Sequence, residues 1–328
     1  MAVTLAESKV GMADKVDQMV VDEFRRSSLL LDSLTFDDAV SPGTGGSTLT
    51  YGYVRLKTPA SAGFREINGE YSAQEAKREK KSVDLKIFGG SFQVDRVLAN
   101  SSGAVDEIDF QLKEKIKAAA NLFHYTVING DSTTDNKSFD GLDKALVGSD
   151  TEINKDAYID LSTSDALDRN YKEFLDLIDS FLSELSGKPT MLMGNSKLMT
   201  KIRSVARRAG YLTQSEDAFG RKVYAYDGIP LVDLEDYVKD GNTVPVVPIV
   251  NTRQIGEQTI TGLTDLYAAS FGIDGFHGVT VKGDKIINTF LPDLKAPGAV
   301  KTGEVEMVAA VALKNSKKAG VLRNIKVK

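Results

Sequence analysis

The sequence lacks several residue types on which enzyme chemistry commonly depends. Its 328 residues include no cysteine and two histidines, His124 and His277. The absence of cysteine excludes disulfides, thiolate metal sites and a cysteine nucleophile. The scarcity of histidine leaves few candidates for a metal ligand or a general base near neutral pH. These absences favour a protein that is not an enzyme and that holds no metal or cofactor.

The chain also lacks a strong net charge and a long hydrophobic run. Its net charge of −5 and isoelectric point near 5.3 provide no global basic field for nucleic acid. No apolar run approaches the roughly 20 residues that cross a bilayer. The opening MAVTLAESK lacks the layout of a signal peptide. We therefore expect a soluble protein, with no membrane partner, that folds in a reducing cytoplasm.

The strongest helical pattern covers residues 104–129. Ser102 is a candidate N-cap, and Asn129-Gly130 ends the pattern. The apolar residues between them recur every three or four positions, which is typical of one buried helix face; they are Val105, Ile108, Leu112, Ile116, Ala119, Phe123 and Val127. The pattern predicts a continuous amphipathic helix of about seven turns.

Shorter helices are predicted elsewhere in the chain. One covers Met12–Arg26, and another covers residues 170–187, where Asn170 and Glu173 resemble a capping box. A third, in NSKLMTKIRSVARRAG, covers residues 195–210 and follows the short apolar strand PTMLMG.

Residues 48–94 predict a long two-stranded ribbon. TLTYGYVRLKT and KSVDLKIFGGSFQV each alternate in the manner of a strand, and roughly 25 polar residues separate them. SPGTGGS (41–47) precedes the ribbon and is typical of a hinge rather than a phosphate loop. A two-stranded ribbon is marginal in water, so it needs a partner surface from its own chain or from another.

Strands also dominate the last third of the chain. FGRKVYAYDGIPLVDL (219–234) predicts a hairpin that turns at Asp227-Gly228. VPVVPIV, TDLYAASFG, GVTVKGDKIIN and EVEMVAAVALKN follow it as strand-rich segments separated by glycine turns.

Catalytic and metal-binding motifs are not recognisable. NGDSTTDNKSFDG resembles a calcium loop but lacks its spacing, so a polar surface loop is favoured. GIDGFHG predicts a turn in which His277 has a structural role. The chain contains no G-x-S-x-G, Walker loop or H-E-x-x-H.

Charge is distributed unevenly along the chain. Residues 131–184 hold 14 acidic and 5 basic residues, whereas residues 196–222 hold 7 basic and 2 acidic residues, as do residues 301–328. Such segments are either solvated faces or surfaces that steer copies of the chain together.

In this order the elements resemble the major capsid proteins of tailed bacteriophages, the Hong-Kong-97-like fold family. KIFGGSFQVDRVLA resembles the segment after the family's extended E-loop, and NLFHYTVINGDSTTDNKSFDGLDKAL resembles the end of its spine helix. MLMGNSKLMTKIRSVARRAG and FGRKVYAYDGIPLVDL resemble its axial domain, including the frequent Y-x-G-[IV]-P-[LV] ending.

The resemblance implies an α+β fold with a division of the chain into five segments. Residues 1–46 would form an N-terminal arm, 47–92 the E-loop, and 93–158 a peripheral domain with spine helix 104–129. Residues 159–288 would form an α/β axial domain, and 289–328 would return to the peripheral domain.

The implied function is structural. Pentamers and hexamers of the chain would build an icosahedral shell around a double-stranded DNA genome, which the shell contacts non-specifically. The shell would be the virion capsid, assembled in the bacterial host cytoplasm. Because the E-loop pattern starts near residue 48, a separate scaffolding protein is expected, together with a portal.

The resemblance also suggests contacts between subunits. The candidates are Lys77, Arg78, Lys80, Lys81, Arg203, Arg207 and Arg208. Some family members join the E-loop to a neighbour through a lysine–asparagine bond, for which Lys57, Lys77, Lys80, Lys81 and Lys86 are candidates without a matching partner.

Three alternatives stay open at this point. An encapsulin-type shell has the same fold and encloses protein cargo. An α/β hydrolase or ligand-binding protein would need a cleft with perturbed acids. A phage tail or baseplate component would form rings or tubes.

Overall fold

A computed structural model describes residues 29–40, 49–58, 60–71, 75–96, 107–210, 213–216, 222–239, 242–250, 252–281 and 286–328. The fold is α+β, as predicted. Its helices are α1 (Leu29–Ser33), α2 (Glu107–Asn129), α3 (Leu142–Leu146), α4 (Ser164–Ser183) and α5 (Ser196–Ala209). Its strands are β1 (Phe36–Val40), β2 (Thr50–Thr58), β3 (Lys77–Asp84), β4 (Lys86–Asp95), β5 (Glu152–Ile153), β6 (Ile159–Asp160), β7 (Met191–Gly194), β8 (Thr213–Glu216), β9 (Lys222–Tyr226), β10 (Ile229–Asp233), β11 (Asp236–Lys239), β12 (Asn242–Pro245), β13 (Arg253–Ile255), β14 (Gln258–Ile260), β15 (Leu263–Ala269), β16 (Phe276–Val281), β17 (Ile287–Phe290), β18 (Val300–Leu313) and β19 (Ala319–Lys326).

Two sheets organise these elements. In the first sheet, β4 pairs with one edge of the long strand β18, and β16 and β17 pair with its other edge. β1 extends this sheet as a parallel neighbour of β16. The second sheet has the order β5-β19-β15-β7-β10-β9-β8, with β6 also on β19. Strands β2 and β3 form a separate two-stranded ribbon.

The long helix α2 packs on the first sheet through the apolar stripe that the sequence predicts. Ile116, Phe123 and Val127 are each at most 1% exposed. The ring of Phe123 lies 5.6 Å from that of Phe88 on β4, in a parallel stack. The helix ends before Gly130, where a Cβ would lie 2.2 Å from the carbonyl oxygen of Phe139, so no other residue fits. The predicted start at residues 102–106 and the predicted helix Met12–Arg26 lie outside the described residues.

Helices α4 and α5 cover one face of the second sheet. α5 begins at the N-cap Asn195, whose side chain accepts from the backbone of Leu198, and it ends at Gly210 with φ of 75°. The predicted start of α4 at Asn170 is wrong, because Thr163 caps the helix about two turns earlier by accepting from Ala166. Asn170 instead donates to the carbonyl of Asp160 on β6, at 2.8 Å.

The predicted hairpin is confirmed as β9 and β10. Asp227 and Gly228 have φ of 47° and 69°, as a two-residue turn of the I′ type requires. Tyr226 pairs with Ile229 across the turn, and β10 continues the sheet as a parallel neighbour of β7.

The strands are distributed differently from the predicted segments in three places. The ribbon ends at Asp84, and β4 joins the first sheet, although residues 47–92 were assigned together. The last strand β19 lies in the second sheet, although residues 289–328 were expected to return beside the first. In VPVVPIV, strand β12 includes only Val244 and Pro245 of the predicted strand-rich segment.

Among the described residues, no helix is both long and apolar enough to span a membrane. The same residues contain no group of three or more His, Cys, Asp or Glu side chains arranged to hold a metal ion.

Candidate assembly surfaces

The ribbon β2–β3 has an inward face that fixes its base to the body. Tyr51 donates from its hydroxyl to Asp37 at 2.8 Å, and Tyr53 donates to the carbonyl of Leu313 at 3.0 Å. Arg55 donates from Nη2 to the same carbonyl at 2.6 Å. These residues alternate along one strand, so their side chains point to one side of the ribbon.

The outward face of the ribbon is apolar and basic. Val54 and Leu56 have 65% and 57% of their surface exposed. Lys80 lies directly opposite Val54, and Arg78 lies directly opposite Leu56, so all four side chains share one side. An exposed apolar pair flanked by cations is expected to contact another surface rather than water alone.

The tip of the ribbon exposes further large apolar side chains. Phe64 is fully exposed, and Ile67 and Tyr71 are mostly exposed. The guanidinium of Arg65 lies 5.4 Å from the centre of the Tyr71 ring. The tip therefore repeats the combination of apolar and cationic groups found on the outward face.

The structure separates the four ribbon cations that the sequence singled out. Arg78 and Lys80 share the outward face with the exposed apolar pair. Lys81 lies opposite Tyr53, on the inward side, and forms an ion pair with Glu79. Lys77 lies at the distal end of the ribbon, opposite Thr58.

The three arginines of α5 also divide into two groups. Arg208 pairs with Asp168 of α4 at 2.5 Å and donates to Ser164 at 3.1 Å, so it links the two helices. Arg203 and Arg207 have no carboxylate partner among the described residues. Arg203 donates to Thr200 at 3.2 Å, and its guanidinium lies 5.3 Å from the centre of the Tyr224 ring.

Neither a family model nor a curated protein matches this sequence. Solved structures do match it. The chain resembles the holo-SrpI encapsulin of Synechococcus elongatus PCC 7942 with a TM-score of 0.61 and 15% identity, over 92% of this chain and 90% of that one. It resembles the capsid of a native GTA particle with a TM-score of 0.57 and 12% identity, over 90% and 89% of the two chains. It resembles a structure of Mycobacterium phage Bobi with a TM-score of 0.56 and 12% identity, over 92% and 90%.

The chain has the Hong-Kong-97-like capsid fold. Below, the ribbon β2–β3 is called the E-loop, α2 the spine helix, and the second sheet with α4 and α5 the axial domain, after the names that the resemblance suggested for these parts of the sequence.

A buried ion cluster, which the sequence analysis did not find, joins the axial sheet to α3 and β5. Arg323 contacts Asp143, donates to Glu152 at 2.9 Å and donates to Asp265 at 3.1 Å. Arg253 donates to both carboxylate oxygens of Asp265, at 2.8 and 3.0 Å. Burial alone would raise the pKa of Asp265, but the two guanidiniums hold it below its ordinary value. No motif reveals these residues, because they come from distant segments.

Burial lowers the pKa of both histidines. Burial lowers the pKa of His124 on the spine helix to about 4. His277 is fully buried in β16, not in the turn that the sequence predicted, and burial lowers its pKa also. The ring of Tyr51 from the E-loop packs against His277 edge to face, at 5.9 Å.

The loop that resembles a calcium site is a polar surface loop held by a lysine. Nζ of Lys144 lies 2.6 Å from Asp131 and 2.9 Å from Asp140. Asp131 also accepts from Thr133 and Thr134. The hydrogen bond from Lys144 is the main reason that the pKa of Asp131 lies below its ordinary value.

An open cavity of about 750 Å³ lies beside this loop, at the C-terminal end of the spine helix. Its lining includes Phe88, Asn129 and Lys144. Tyr125 and Tyr237 stack at 4.7 Å and form one of its walls. It combines apolar rings with charged groups.

Proposed function

We propose that this chain is a major capsid protein with a structural, non-enzymatic role. Copies of it assemble through hexamers and pentamers into an icosahedral shell that encloses the double-stranded DNA genome of a tailed bacteriophage. The observation that carries this proposal is the exposed apolar and basic outward face of the E-loop. The fold, which this chain shares with shell-forming proteins, supports it.

One face of the E-loop contacts the body of the protein, and the other face is exposed to water. Tyr53 and Arg55 hold its base against the body, while Val54 and Leu56 stay open to water. A neighbouring copy that covers these two side chains gains about 1.5–3 kcal/mol for each one fully buried. A contact of this size is weak alone, but a closed shell repeats it over many copies.

The spine helix of the neighbour provides a matching surface. Phe110 on that helix is 47% exposed, next to Asp109 and one turn before Glu114. The ring complements the apolar pair of the E-loop, and the carboxylates complement Arg78 and Lys80. We propose that the E-loop lies over this part of the neighbouring spine helix.

The remaining partners follow from the same proposal. A separate scaffolding protein and a portal take part in assembly, and packaged DNA contacts the inner surface without base recognition. We place three of the predicted cations as secondary contacts between subunits. Lys81 and Arg208 already have carboxylate partners within the chain. Lys77 lies at the distal end of the E-loop, away from Val54. The virion capsid is the site of the mature protein, and the bacterial cytoplasm is where it assembles.

An encapsulin-type shell is the second candidate function. The similarity to an encapsulin over 92% of the chain supports it. The cavity at the end of the spine helix is large enough for a few residues of a cargo protein. The two candidates differ in the contents of the shell and not in how the shell is built.

Electron microscopy tests both candidates. The chain is expressed alone and then with its neighbouring genes, and the particles are purified and imaged. We expect closed icosahedral shells, and nuclease-protected DNA inside them identifies the phage capsid. Shells filled with one protein species would favour the encapsulin, whereas a uniform monomer or dimer under both conditions would contradict the capsid proposal.

A further inference from the structure

The axial domain carries opposite charges on two helices that lie side by side. α5 (Ser196–Ala209) contains five basic residues and no acidic residue, namely Lys197, Lys201, Arg203, Arg207 and Arg208. α4 (Ser164–Ser183) contains five acidic residues, namely Asp165, Asp168, Glu173, Asp176 and Asp179, against two basic ones, Arg169 and Lys172. Part of this difference is satisfied inside the domain, where Arg208 pairs with Asp168.

The two helices contact each other and cover neighbouring parts of the sheet. α4 contacts β6 and β19, near one edge, whereas α5 contacts β10, toward the other edge. Each helix therefore has one flank that faces the other helix and one flank that faces away from the domain.

The outer flank of α5 forms a small basic pocket. Thr200, Arg203 and Arg207 line it together with Tyr224 of β9, around a volume of about 280 Å³. Arg203 and Arg207 are four residues apart and so lie on one side of the helix, turned away from Arg208 and α4. Among the described residues, neither guanidinium has a carboxylate partner. Two guanidiniums that line one pocket, with that of Arg203 over the Tyr224 ring, are suited to bind an oxyanion.

The outer flank of α4 presents the carboxylate of Glu173, with exposed Arg169 one turn before it. Asp168 and Asp179 face the interior of the pair, because they bind Arg208 of α5 and the hydroxyl of Tyr226 on β9. Glu173 lies about 120–140° around the helix from both, at 100° per residue. It is exposed, on the side where Asn170 reaches β6. Exposed Asp176 follows it by one turn and lies about 60° around the helix from both Glu173 and Asp179, on the solvent-facing side.

We propose that the basic pocket of Thr200, Arg203, Arg207 and Tyr224 binds the carboxylates of Glu173 and Asp176 of a second copy of this chain. The pocket lies on the flank of α5 that faces away from α4, and Glu173 lies on the flank of α4 that faces away from α5, so the contact is head to tail and repeats around a ring. This inference rests on the proposed self-assembly and names the residues that hold neighbouring axial domains together. A second copy is favoured over nucleic acid, because an acidic surface of matching position exists on the chain itself and the chain as a whole is acidic.

Charge reversal tests the contact. Arg203→Glu with Arg207→Glu, and separately Glu173→Lys with Asp176→Lys, are each expected to reduce the assembled fraction in sedimentation about tenfold or more. The chain with all four substitutions is expected to recover assembly, because attraction is restored with the signs exchanged. Lys137→Glu with Lys295→Glu, at two exposed lysines outside the axial domain, is the matched control and is expected to assemble normally. Circular dichroism and thermal melting check that each variant folds.

The outcomes separate this inference from the proposed function. If the wild-type chain does not assemble, the proposed function fails. If it assembles and the pocket variants assemble equally well, the inference alone is overturned. Failure of the fourfold variant to recover would also overturn it. Shells of the Arg203→Glu, Arg207→Glu variant that form normally but lose packaged DNA would show that the pocket binds phosphate groups instead.

Discussion

On the E-loop, Val54 and Leu56 lie open to solvent, whereas on the spine helix Ile116 and Phe123 are completely enclosed. Both segments are amphipathic, and both have one face against the body of the protein. The difference is that the helix has its partner, the first sheet, within the same chain. The E-loop uses its inward face for attachment and keeps an apolar face for which the described chain offers no cover. The comparison distinguishes an apolar face that is covered within the chain from one that, in our proposal, is covered by a neighbouring copy.

The largest effect on the free energy of unfolding is expected for Phe123→Ala. This ring is fully buried and stacks on Phe88, so its removal leaves a cavity in the core. We expect a loss of about 3–5 kcal/mol. Urea unfolding of the unassembled chain measures it. Phe64→Ala at the tip of the E-loop is the control, with an expected change within about 0.5 kcal/mol; equal losses would erase the distinction between the two regions.

A similar loss is expected for Arg323→Met in the buried ion cluster. The substitution leaves Asp143, Glu152 and Asp265 without their shared cation. Breaking a buried pair in this way costs about 3–5 kcal/mol. Lys81→Met breaks the exposed ion pair with Glu79 on the E-loop and should cost less than about 1 kcal/mol. An Arg323→Met variant with an unchanged free energy of unfolding would show that the cluster does not stabilise the axial domain.

Acidification from pH 6.5 to about 4 is expected to lower the free energy of unfolding. The pKa of His124 falls from 6.5 to about 4 because the ring is buried. Between these values the unfolded chain binds a proton that the folded chain does not, so stability decreases as the pH falls from 6.5 to about 4. The slope for one such group is at most about 1.4 kcal/mol per pH unit. His124→Leu should flatten the slope of the unfolding free energy against pH, and an unchanged slope would contradict this assignment.

The smallest effect on folding and the largest effect on assembly are expected at the outward face of the E-loop. Val54→Asp with Leu56→Asp should change the unfolding free energy by about 0.5 kcal/mol or less, because both side chains are already exposed. The same variant should form no shells, because two carboxylates replace the apolar contact. Gln254→Asp, at an exposed position of β13 outside the E-loop, is a control for added charge.

Local patterns predicted the elements whose ends and buried faces are determined by residues close together in the sequence. The stripe of the spine helix, the hairpin at Asp227-Gly228 and the caps of α5 all follow from residue spacing and turn chemistry. The start of α4 was misplaced because both Thr163 and Asn170 fit a capping pattern. The buried residues Ala166 and Leu167 lie between them, and they belong to the helix because it begins at the earlier cap.

Features that depend on distant segments could not be predicted. The position of β19 in the axial sheet and the cluster around Arg323 join residues more than 50 positions apart. The sequence did indicate the basic residues of the E-loop and α5. It could not show that Lys81 and Arg208 have partners within the chain while Arg203 and Arg207 have none among the described residues.

Sedimentation of the wild-type chain beside the Val54→Asp, Leu56→Asp variant tests the central claim most directly. Both are co-expressed with their neighbouring genes, and electron microscopy identifies the fast-sedimenting material. We predict closed shells for the wild type and a folded, unassembled chain for the variant. Shells of equal yield from both chains, or no shells from either, would contradict an E-loop that builds a capsid by covering its neighbour.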